Sequence, residues 1–157
     1  MKKQKGFTLI ELLIVIGIIA ILAAIIYVAV DPSRRLAEAR NAERWSSVNA
    51  ILNGYLKYTV DNAGAEPASL TAGTYYMIGT GADATACTAQ ATSAVVNLAT
   101  NLVDEYLSSI PVDPFPSTNT GAKTFYYIHK STNGRITVGS CTPEAVGGDT
   151  PTISVSR

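Results

Sequence analysis

Residues 7–30 form an apolar run of 24 positions in which Glu11 is the one side chain charged at neutral pH. At 1.5 Å per residue this run makes a helix about 36 Å long, enough to cross a hydrocarbon core with some tilt. The pattern changes at Asp31-Pro32-Ser33. Proline removes a backbone donor and clashes with the preceding turn, so the sequence predicts either a kink or a fresh helix start, capped by Asp31 with Pro32 as its first residue. Beyond it, Trp45, Val48, Leu52, Tyr55 and Thr59 recur at spacings of three and four, and Ile51 and Leu56 widen the stripe. Asp61-Asn62-Ala63-Gly64 closes this amphipathic helix. The first helical stretch is therefore greasy all round, whereas the second offers one face to a partner.

That partner must come from the remaining sequence. Residues 94–109 read as a further helix, with Val95, Leu98, Leu102 and Tyr106 on one side. Residues 124–130 and 135–139 are rich in β-branched and aromatic types and flank Ser131-Thr132-Asn133-Gly134, a hairpin signal. Residues 152–157 alternate and add a third strand, and residues 74–78 a fourth. These elements predict an α+β domain over residues 31–157, with the amphipathic helix lying on a small antiparallel sheet.

Charge and cysteine content narrow the classes. The chain balances 12 basic against 12 acidic side chains; without Lys2, Lys3 and Lys5 it is mildly acidic at −3, which does not point to bulk nucleic-acid binding. Cys87 and Cys141 are the only cysteines, 54 positions apart and without a CxxC. A disulfide in an oxidising compartment and a pair of buried free thiols both remain open, the even count favouring the bridge. Enzymatic chemistry finds no purchase: His129 is the single histidine, and no catalytic triad, metal-ligand cluster or phosphate loop is present.

Glu11 is the informative position. A carboxylate inside a membrane span costs roughly 2.5–3.5 kcal/mol at the bilayer centre and is a functional-site hypothesis by default. A shallow, snorkelling Glu11 would satisfy this thermodynamically; a buried positive partner would satisfy it functionally. Cleavage between Gly6 and Phe7 would create such a partner, an α-amine four residues before Glu11. A secretory signal peptide is a poor alternative, since the apolar core is too long and no small-x-small site precedes Asp31. The short basic leader ending in Gly6, followed by Phe7-Thr8-Leu9-Ile10-Glu11 and an apolar helix, resembles the type IV pilin and pseudopilin superfamily.

That resemblance implies a leader at residues 1–6 removed by a prepilin peptidase, N-methylation of Phe7, and a filament-core helix over residues 7–30. It also implies one long bent helix, and a pilin-fold head over residues 31–157 outside the cytoplasm. Lys2, Lys3 and Lys5 favour a cytoplasmic N-terminus, although Arg34, Arg35, Arg40 and Arg44 follow the span, so orientation is taken from the leader. The implied partners are identical subunits, other pilins, the inner-membrane assembly platform, and membrane lipid before assembly. Phe7 and Glu11 are the assembly residues, Gly17 and Pro32 the candidates for helix flexibility, and no cofactor is implied. The expected function is a structural subunit of a pilus-like filament used in adhesion, twitching motility or DNA capture. Alternatives are the major pseudopilin of type II secretion and a minor or competence pseudopilin. Residues 106–127 resemble the major pseudopilin head, in which Asp113 would sit at a calcium loop. The calcium set would need Asp113, Ser117 and Asn119 with carbonyls and water, and a turn-capping role for Asp113 is the alternative.

Overall fold

The computed structural model describes residues 6–82, 84, 87–115 and 120–157. The chain divides into two compact units, the boundary falling between Leu36 and Ala37. In the first, α1 (Leu9–Val30) is apolar on every side apart from Glu11 in its first turn, and it packs none of its residues against the rest of the chain. It meets the length and composition needed to cross a membrane. The helix ends at Asp31, which holds a left-handed conformation (φ 43°, ψ 76°), and α2 (Pro32–Asp61) begins at the next residue. The Asp31 carboxylate accepts from the Ser33 hydroxyl at 2.7 Å and the Arg34 N–H at 3.3 Å, so it caps α2. The expected bend is thus a one-residue interruption with a new cap, and Pro32 occupies the first helical position, where its missing N–H costs nothing.

In the second unit, a five-stranded sheet has the order β2-β1-β3-β4-β5. The strands are β1 (Tyr75–Ile78), β2 (Ala94–Val96), β3 (Tyr126–Lys130), β4 (Ile136–Ser140) and β5 (Ser154–Ser156). Gly134, at φ 81°, turns the β3–β4 hairpin where expected, its N–H donating to the Ser131 carbonyl at 3.0 Å. Val48, Ile51, Leu52 and Tyr55 of α2 share one buried cluster with Ile78, Tyr126, Ile128 and Val138. Each such side chain contributes roughly 1.5–3 kcal/mol on leaving water. The opposite sheet face carries a smaller cluster of Met77, Phe125, Tyr127 and Cys141.

Three expectations change. The sheet is antiparallel except at β1–β2, which pair in parallel, so it is mixed. The helix read over residues 94–109 is instead β2 followed by a single helical turn, α3 (Ala99–Leu102). The edge of β1 takes up Val95 and Val96, whose β-branched side chains suit a strand, and Val103, extended at φ −76°, ψ 146°, ends the helical turn. Finally, Trp45 is 40% exposed, and Arg44 takes the buried position one residue earlier.

Candidate functional site

The residues singled out by sequence lie in two places. Thr8, extended at φ −84°, ψ 152°, is the N-cap of α1, and its hydroxyl accepts from the Glu11 N–H at 3.3 Å. Glu11 answers: its Oε2 accepts from the Thr8 N–H at 2.8 Å and the Thr8 hydroxyl at 2.7 Å. This reciprocal capping box satisfies donors that α1 would otherwise leave unpaired at its start. Gly6 and Phe7 precede it, non-helical and exposed. Gly17 stands in mid-helix with open space where a side chain would be. The box is thus a local device in which the one carboxylate of α1 is satisfied by its own chain.

In the second unit, Cys87 and Cys141 are bonded, with Cα atoms 4.5 Å apart. The bridge ties the segment before β2 to the end of β4, where the Cys141 carbonyl also accepts from the Ala89 N–H and the Thr88 hydroxyl. Asp113 is buried, and its Oδ1 accepts from the Phe115 N–H two residues on at 2.9 Å, a turn-capping contact. Its two oxygens also receive Nη2 and Nε of Arg44, each at 2.8 Å, a bidentate pair. Ser117 and Asn119, the other side chains of the calcium reading, lie outside the described residues. Among the described residues no group of three or more His, Cys, Asp or Glu side chains converges. His129 stacks on Tyr75, ring centroids 4.1 Å apart.

Sequence reasoning missed the polar knot around Arg44. Its guanidinium is fully buried, and all five N–H groups have acceptors: two on Asp113, then Asn41, Glu144 and the Phe115 carbonyl. Glu144 also receives Nε and Nη2 of Arg40, each at 2.6 Å. Asn41 clamps the Glu144 backbone, donating to its carbonyl at 2.8 Å and accepting from its N–H at 3.1 Å. Burial alone would push the Arg44 guanidinium down, but its bonds to Asp113 and Glu144 outweigh that and leave it raised. Arg40 beside Glu144 holds that carboxyl below its usual value. A signal existed: the buried positions 37, 41, 44, 48, 51 and 55 keep spacings of four and three through Asn41 and Arg44.

Two comparisons with known proteins gave a match. Residues 1–27 match the family described as the prokaryotic N-terminal methylation motif. A 66-residue stretch is 47% identical to the type IV wide pilus major component PilA4 of Thermus thermophilus, covering 40% of this chain and 46% of that protein. The chain therefore aligns with less than half the length of that relative. No solved structure gives a match.

Proposed function

We infer that this chain, whose methylation motif and likeness to a pilus component support the type IV pilin superfamily, is a structural subunit of a pilus-like helical filament. The superfamily is structural rather than enzymatic. The observation that carries the reading is α1: a fully exposed apolar helix with a single carboxylate, directly behind a candidate cleavage site. Before assembly α1 lies in the cytoplasmic membrane with its N-terminus inside, and the head stands outside. A prepilin peptidase removes residues 1–6, Phe7 is N-methylated, and subunits leave the membrane for a fibre whose core is bundled α1 helices.

The energetics suit a reversible store. Apolar helix contacts in the fibre replace lipid contacts of similar polarity, so packing and polar pairing decide assembly. Glu11 is satisfied within its own chain before cleavage. In the fibre it meets the α-amine of a neighbouring Phe7, and this pair sets the register between subunits. Gly17 and Pro32 are the points at which the helical stretch can open. At Asp113, the commitment of both carboxylate oxygens to Arg44 favours the pilus over the pseudopilus with a calcium loop.

Electron microscopy of fibres sheared from native cells, with mass spectrometry of their main subunit, tests the reading. Long filaments whose dominant peptide begins at methylated Phe7 are expected. Processed Phe7 in membranes, with the protein absent from such fibres, would transfer it to a pseudopilus or a minor role.

A further inference from the structure

Where α1 begins decides the state of the Gly6–Phe7 bond. The residues upstream, Lys2, Lys3, Gln4 and Lys5, are straight-chain types with high helix propensity. Nothing in their composition apart from Gly6 would stop a helix started at Leu9 from growing back over the bond. A peptide bond inside a helix must unwind before a peptidase can act on it. Helix growth is halted where Thr8 holds extended dihedrals and its carbonyl accepts the first helical bond, from the Leu12 N–H at 3.3 Å. Glu11 Oε2 takes the Thr8 N–H that a longer helix would direct to a carbonyl four residues upstream. Phe7, 83% exposed, and Gly6 therefore remain outside the helix.

We propose that the Thr8–Glu11 capping box is a positioning device for leader removal, holding the helix start at Leu9 so that the Gly6–Phe7 bond is presented to a membrane peptidase. The proposal rests on the pilin reading above, which supplies the peptidase. Thr8 and Glu11 act here through the backbone they hold. A second consequence separates two duties of Glu11. Glutamine keeps the capping acceptor but not the charge, so Glu11→Gln retains cleavage while losing the pairing to a neighbour's α-amine.

The test uses the full-length precursor in membrane vesicles with a prepilin peptidase, following release of residues 1–6 by mass spectrometry. Thr8→Val, an isostere without the hydroxyl, is expected to slow cleavage about 2- to 30-fold, the range set by the ordinary worth of an N-cap side chain. Thr8→Ser and Thr8→Asp, both good caps but chemically unlike, should cleave near the wild-type rate. Backbone NMR of the uncut Thr8→Val precursor should show helical shifts extending over Gly6 and Phe7. Equal rates for Thr8→Val and wild type, or failure of both serine and aspartate to rescue, would overturn the proposal. Wild-type precursor left uncut after Gly6 would instead overturn the pilin reading, and the proposal with it.

Discussion

Replacing the fully buried Arg44 by methionine should strongly destabilise the head. The guanidinium is fully buried and supplies two of the bonds that hold the buried Asp113 carboxylate. Methionine fills much of the same volume, so the loss is electrostatic. Asp113 would keep the Phe115 N–H at 2.9 Å and two hydroxyl contacts, from Ser140 and Thr142, at 3.4 Å, but would lose its bidentate guanidinium. Removing one member of a buried pair costs about 3–5 kcal/mol. Against a total stability on the order of 5–15 kcal/mol, that is a large share. With a urea slope of about 2 kcal/mol per molar, the midpoint should fall by about 2 M. The measurement is urea unfolding of the full chain in detergent, read by Trp45 fluorescence and near-UV dichroism. The double variant Arg44→Met/Asp113→Leu removes both charges and should recover most of the loss. A single-variant cost below about 1 kcal/mol, or a double variant as unstable as the two singles summed, would refute the reasoning.

Three further expectations follow from the same contacts. Glu11→Gln, which keeps the capping acceptor and loses the charge, should leave membrane insertion and leader removal intact and reduce filament yield, scored by shearing and immunoblot; unchanged yield would remove the register role. Glu144 has its carboxyl lowered by Arg40 from an ordinary 4.5, so its stabilising share is complete above that value and lost as pH falls through the folded one. Acid unfolding of Glu144→Gln should accordingly show a flatter stability slope below about pH 4.5 than wild type. Cys87→Ser/Cys141→Ser opens a loop spanning a separation of 54 residues and should cost roughly 4 kcal/mol in the chain-entropy treatment, measured by the same urea titration.

What the sequence by itself determined were features whose causes are local. The apolar run that becomes α1 reads directly because burial by lipid or neighbours needs no knowledge of the head. Ser131-Thr132-Asn133-Gly134 announces its turn because Gly134 adopts positive φ without cost, and Asp61-Asn62-Ala63-Gly64 ends α2 through left-handed Ala63 and Gly64, whose N–H returns to the Thr59 carbonyl at 2.8 Å. The Thr8–Glu11 box is also a local, three-residue relation, yet it emerged only with the structure. Tertiary structure decided the rest, through partners distant in sequence. Residues 94–96 become a strand because β1 offers an unpaired edge, which outweighs a spacing equally suited to a helix. Arg44 rather than Trp45 turns inward because Asp113 and Glu144, 69 and 100 positions away, supply acceptors there. A buried arginine is prohibitive alone and acceptable only when every N–H is met, a condition that no local window of sequence can reveal.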